Sequence, residues 1–188
     1  MRLTRGDVIA RAATVFQRRG FHATSMADLA AACGILKGSL YHHFPSKDDL
    51  ALAVLDDIHS RFRADIFARA YGPGTPEDRM TALTDAVAAY FLARDGACLM
   101  GSFALELGAS DERFAARLRA WFDDWATAIA APLDPRHGAI EAQRLGRDFV
   151  ARSQGALMLM KVSGDDEALT RCHAAMIAAA SDPVSAGR

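Results

Sequence analysis

Lys37, Ser39, Tyr41, His42 and His43 fall within two helical turns, and Gly38 lies among them. A cation, a hydroxyl, a phenol and two imidazoles at that spacing suit a polar, polyanionic surface, and a glycine lets that surface come close. More donors flank the cluster: Thr24 and Ser25 before it, Lys47 after it. Nothing comparable suggests catalysis. There is no nucleophile elbow, P-loop, GxGxxG or HExxH, and His22, His59, His137 and His173 stand singly. Cys33, Cys98 and Cys172 have no CxxC or metal-like spacing, so neither a metal site, a cofactor nor a disulfide scaffold is expected. The chemistry is that of binding, and the enzyme class is disfavoured.

The elements around the cluster read as a helix, a tight turn and a second helix. An amphipathic helix from about Thr4 to Arg19 carries Val8, Ala12, Val15 and Phe16 on one stripe, with Gly20 as its stop. Ser25 and Asp28 form a capping box for Met26 to Cys33, and Gly34 suits the left-handed cap. The next helix runs from Leu36 to Phe44, with Leu40 and Phe44 inward and Lys37, Gly38, Ser39, Tyr41 and His42 outward; Pro45 ends it. This is the layout of a helix-turn-helix whose second helix enters the DNA major groove. Lys37 and Lys47 are expected on phosphates, with the Thr24 and Ser25 hydroxyls. Tyr41 and His42 reach sugar-phosphate or a thymine methyl, and Gly38 and Ser39 admit base edges.

The run Ala32-Cys-Gly-Ile-Leu-Lys-Gly-Ser-Leu-Tyr-His-His-Phe-Pro-Ser-Lys-Asp-Asp-Leu50 resembles the signature of the TetR family of bacterial transcriptional regulators. The similarity extends back through Ala12, Phe16, Gly20, Thr24 and Leu29. It implies DNA contact at Lys37, Gly38, Ser39, Tyr41 and His42, an all-α fold, a homodimer and an effector site in the C-terminal part. One position departs: the family often has a small hydroxyl residue that caps the recognition helix, and here it is Leu36. The missing cap is worth about 1 kcal/mol.

The rest of the chain reads as helices too, nine in all. A second box, Ser46 to Asp49, opens a long helix to about Ala70, with Leu50, Val54, Ile58, Phe62 and Ile66 every fourth residue. Gly72 to Pro76 is the clearest break. Helices follow from Glu77 to about Arg94, from Cys98 to Leu107, and from a Ser110 cap through Ile129. A loop is expected over 132–138, then closing helices from about Ala139 to Val162 and Asp165 to Ala180, with a loose tail after Asp182. The expected division is a three-helix DNA-binding domain, 1–47, and a six-helix effector-binding and dimerisation domain, 48–188. The stripes of the last two helices, among them Leu157, Met160, Leu169, Cys172 and Met176, suit core and a four-helix dimer interface alike.

An apolar effector pocket is expected from Phe62, Phe91, Cys98, Met100, Phe103, Trp121, Trp125 and Met158. The segment around Cys98 resembles one in a TetR branch whose members sense electrophiles or oxidants through a cysteine. Near a helix start, Cys98 gains thiolate character, and Lys161 is the candidate cation beside it.

Composition supports this reading. Half the 188 residues are hydrophobic, and the net charge is −1. Residues 1–50 carry +3 and the remainder −4, a basic head on an acidic body. No signal peptide is apparent, no apolar run approaches the ~18 residues of a membrane span, and a reducing cytoplasm is the default compartment. The sequence therefore specifies a dimeric, operator-binding regulator, most simply a repressor, released by a small molecule or by modification of a cysteine. The competing reading is a ligand-independent architectural DNA binder.

Overall fold

The computed structural model of the chain describes residues 3–108 and 110–181. Among these are nine α-helices and no strand: α1 Arg5–Arg19, α2 Met26–Cys33, α3 Lys37–His43, α4 Lys47–Arg61, α5 Pro76–Leu92, α6 Leu99–Leu107, α7 Glu112–His137, α8 Ala139–Ser163 and α9 Glu167–Ala180. The expected tail after Asp182 lies outside the described residues.

The capping logic holds at most helix starts. Thr4 with Asp7, Ser25 with Asp28 and Thr75 with Asp78 each form a reciprocal box. Ser46 Oγ accepts from the Asp49 amide at 3.0 Å. At α7 the cap is Asp111 instead of Ser110: the Asp111 carboxylate accepts the Arg113 amide at 2.8 Å, while the Ser110 hydroxyl donates back to the Leu107 carbonyl. Two other boundaries differ from expectation. The long fourth helix does not stay α-helical to Ala70; after Arg61 it widens into a π-turn over Phe62–Ile66 and tightens into a 3-10 turn over Phe67–Tyr71. The 132–138 loop is absent, since α7 continues through Pro132 and Pro135 to His137. Each proline removes one backbone donor, but the helix ends two residues after the second, where Gly138 turns to φ 76°.

The described chain groups into two compact units, Met1–Ser60 with Cys98–Trp121, and Arg61–Ala97 with Phe122–Arg188. The first is centred on Phe16, Phe21, Phe103 and Phe114. Phe103 meets the other three edge-on, with ring centroids 5.5, 5.8 and 6.4 Å away, the geometry that aromatic quadrupoles favour. In the second, Phe91 stacks on Trp125 at 6.2 Å and lies 6.1 Å from Phe62, and α9 packs on α5 and α8. Helices α7 and α8 cross so closely at Gly146 that an added Cβ would stand 2.3 Å from the Ala126 carbonyl oxygen.

Most of the closing-helix stripe proves to be core of this second unit. Leu157, Met160, Leu169, Cys172 and Met176 are all buried within the chain. Near them on α8 the apolar Met158, Leu159 and Val162 are exposed, as is Ile140 at the start of that helix, and Ala174, Ala175 and Ala178 are exposed on α9.

His173 is also buried in α9, and burial pushes its imidazole down to about 4, with Asp85 opposing only in part. The unfolded chain binds this proton near the ordinary value of about 6.5. The neutral ring therefore stabilises the fold fully above pH 6.5, and that contribution is lost as pH falls towards 4. Urea unfolding measured from pH 7 to 4.5 should show declining stability, with a shallower decline in His173→Gln; equal slopes would contradict this assignment.

Candidate nucleic-acid interface

Helix α3 has only seven residues, too short to persist alone, so its orientation depends on what grips its ends. Leu40 and Phe44 are its buried anchors, at 0% and 1% exposure. The Arg5 guanidinium lies 4.5 Å over the Phe44 ring. The turn before α3 is fixed by Gly34 in the left-handed region, whose amide bonds back to the Ala31 carbonyl, and by Arg11, which donates to the Cys33 carbonyl at 3.1 Å.

With those anchors inside, Lys37, Gly38, Ser39, Tyr41, His42 and His43 are all exposed on α3. The Lys37 ammonium sits 5.9 Å from the Tyr41 ring centroid, so cation and phenol share one face. His43, left outside the expected contact set, is exposed too; its place beside His42 was the available signal. Leu36 is the irregular helix start anticipated: extended, without a side-chain cap bond, and 80% exposed.

Three flanking residues do other work than expected. Thr24 is 2% exposed and its hydroxyl donates to the Gly20 carbonyl at 2.7 Å, so the reading of that hydroxyl as a phosphate donor is corrected. Ser25 is exposed, but its hydroxyl donates to Asp28 Oδ2 at 2.6 Å. The Ser25 hydroxyl and amide, with Arg19, hold the Asp28 carboxyl down to about 2, and Arg19 pairs with it at 2.7 Å. Lys47 is half-buried: its ammonium donates to the Phe21 carbonyl at 2.9 Å and lies 4.1 Å over the Phe21 ring. Lys47 is a strut between α4 and the α1–α2 turn, with one of its three N–H donors so used.

Glu106 of α6 reaches the same turn. Its carboxylate accepts the Phe21 amide at 3.1 and 3.0 Å and the His22 amide at 3.0 Å. Gly20, at φ 76°, makes room for it; a Cβ there would lie 2.7 Å from Glu106 Oε1. Arg113 and Arg117 of α7 pair with Asp48 and Asp56 of α4 at 3.0 and 2.8 Å. Sequence reasoning missed Glu106, because a lone glutamate in an apolar helix carries no marker of a partner 85 residues away.

The expected effector residues divide between the two units. Phe62, Phe91 and Trp125 come together in the second. Met100, Phe103 and Trp121 are buried members of the first, where Phe103 is enclosed by three phenylalanines and is corrected from cavity wall to packed core. Met158 is 60% exposed and lines no interior. An open cavity of about 290 Å³ does occur in the second unit, beside Arg63, Phe67, Tyr71, Asp124 and Thr127. None of these was anticipated as a pocket residue: Arg63 lies in the π-turn and Phe67 and Tyr71 in the 3-10 turn after it, neither of which a four-residue apolar period reveals, and Asp124 and Thr127 come from α7. Arg63 and Asp124 approach to 3.6 Å there, and burial, with Asp124 adding to it, raises the Tyr71 phenol.

Cys98 is the N-cap of α6 and its sulfur accepts the Gly101 amide at 3.3 Å. Lys161 is exposed on α8 and belongs to the other compact unit. Cys33 and Cys172 are buried, and burial pushes both thiols up, which fits structural cysteines.

Comparison with known proteins agrees with this geometry. Residues 8–54 match the family model for bacterial regulatory proteins of the tetR family, and residues 76–175 match the C-terminal domain of LmrA/YxaF-like transcriptional regulators. The chain is 38% identical over 87 residues to the HTH-type transcriptional repressor KstR2 of Rhodococcus jostii (strain RHA1), covering 44% of this chain and 43% of that one. It therefore spans under half the length of that relative. It is 29% identical over 172 residues to the HTH-type transcriptional repressor DhaR of Mycobacterium sp. (strain GP1), 88% and 86% of the two chains. A TetR transcriptional regulator from Legionella pneumophila superposes with a TM-score of 0.83 over 94% and 96% of the chains, at 22% identity, a likeness of fold.

Removing the Glu106 carboxylate should strand the amides of Phe21 and His22. Glu106→Ala is expected to lower the unfolding free energy by about 2 kcal/mol, with Glu106→Gln intermediate, in urea denaturation. No change in either variant would mean the contact contributes nothing.

Proposed function

The chain belongs to the TetR family of bacterial transcriptional regulators, and from that premise we propose that it is a dimeric repressor released from a palindromic operator by an effector. The observation that carries this reading is the exposed Lys37, Gly38, Ser39, Tyr41 and His42 face on a helix held by the buried Leu40 and by Phe44 at its end. Functionally the division is a DNA-binding domain over residues 1–47 and an effector-binding and dimerisation domain beyond. The repressor names of the relatives favour repression over activation. An architectural DNA binder fits less well, since over half of the chain matches a regulator C-terminal domain.

Lys37 neutralises a phosphate, Tyr41 and His42 contact the sugar-phosphate, and Gly38 and Ser39 admit base edges. Ser25 lies at the margin of this set. Two such helices read a palindrome when a dimer holds them about one helical turn apart. The partner copy packs on α8 and α9, where Met158, Leu159 and Val162 stand exposed. No helix among the described residues is long and apolar enough to cross a membrane, and the protein works beside the chromosome in the cytoplasm.

A small molecule binding in the C-terminal part releases DNA only by its different affinity for the two states of the dimer. The Phe62, Phe91 and Trp125 cluster marks the segment where α4 gives way to the π-turn. A helix interrupted there has an alternative hydrogen-bond register, which suits a two-state element. Cys98 offers a second trigger, since its sulfur is only part-buried and sits at the start of α6, accepting the Gly101 amide.

Lys37→Ala and Tyr41→Ala should each weaken operator binding at least tenfold in a gel-shift titration while sedimentation still reports a dimer; unchanged binding by the double variant would refute the contact set. If Cys98 is a trigger, Cys98→Ser protein will stay on DNA after electrophile treatment that releases the wild type. Release from both would leave the small-molecule route alone.

A further inference from the structure

Leu36 is not absorbed by the contacts described so far. Its side chain is 80% exposed immediately before α3, and it makes no capping hydrogen bond. Its backbone starts the helix, the Leu36 carbonyl accepting the Leu40 amide at 3.2 Å, but its side chain neither caps the helix nor fills the core. Lacking any donor, it cannot hold a phosphate or read a polar base edge. Next to it, Gly38 has open space: a Cβ there would meet nothing within 4 Å. The protein's own packing does not require a glycine at that point, so the clearing beside Leu36 faces outward.

The residues that open a recognition helix are the ones that meet base edges. On the major-groove edge the apolar group is the 5-methyl of thymine. We propose that Leu36 is a specificity-determining residue that seats against a thymine methyl in each operator half-site, with Gly38 allowing the helix start to come close enough. An apolar side chain at the helix start favours thymine at the base pair it covers. The proposal rests on the DNA-binding reading above and adds one base-reading role to it.

The test uses DNA recovered from a random pool by the wild-type protein. Each thymine of the recovered site is replaced singly by deoxyuridine, which deletes only the methyl group. Wild-type protein should lose about fourfold in affinity at one thymine per half-site, the factor one buried methyl is worth. Leu36→Ser should bind the thymine and deoxyuridine versions of that position equally. The serine also supplies an N-cap hydroxyl, so the variant remains folded, which thermal melting will verify. Wild-type indifference to every deoxyuridine substitution overturns the proposal, as does a penalty that persists in Leu36→Ser. Failure of the wild type to select any DNA overturns the DNA-binding reading itself, and this proposal with it.

Discussion

The reading head depends on one carboxylate. Glu106 takes the backbone amides of Phe21 and His22, and thereby makes α6 part of the unit that presents α3. The contact is charge-assisted and partly screened from water, the class of hydrogen bond with the largest net worth. It acts together with packing. Phe21, whose amide Glu106 holds, is also the ring on which Lys47 rests and a partner of Phe16, Phe103 and Phe114. One residue of the α1–α2 turn is thus fixed from α1, α4, α6 and α7 at once.

This arrangement explains how a seven-residue helix can serve as a reading element. Helix α3 has no side-chain cap and two buried anchors. Its position is imposed by α1, α2 and the struts around Phe21, which leaves every outward residue free of structural duty. The residues flanking it pay the opposite way: Thr24, Ser25 and Lys47 are held in caps and struts. Polar residues near a binding helix therefore divide into those that build it and those that use it, and burial separates the two classes.

Much of this was legible in the sequence. The capping boxes at Ser25 and Thr75, the turn at Gly34 and the inward pair Leu40 and Phe44 are local patterns, set by contacts within a few residues, and they appear as read. The capped helix starts and the exposed α3 face follow from the same short-range rules. What was hidden is long-range. The Glu106 contact spans 85 residues. The π-turn after Arg61 departs from the α-helical register that the apolar period implies, and its first residue, Phe62, packs against Tyr90 and Phe91 from a distant part of the chain. Met158 and Met160 have equal hydropathy, and only the packing of α8 decides that one is exposed and the other buried. The grouping of Phe103 with the head instead of an effector pocket is of the same kind.

The central claim is that the α1–α2 turn and α6 form one cooperative element through Glu106. Residue-resolved amide hydrogen exchange tests it directly. The account predicts that the Phe21 and His22 amides exchange as slowly as those within α6 and lose protection together with them as urea is added. Fast exchange at Phe21 and His22, like that of an exposed turn, while α6 stays protected would contradict it.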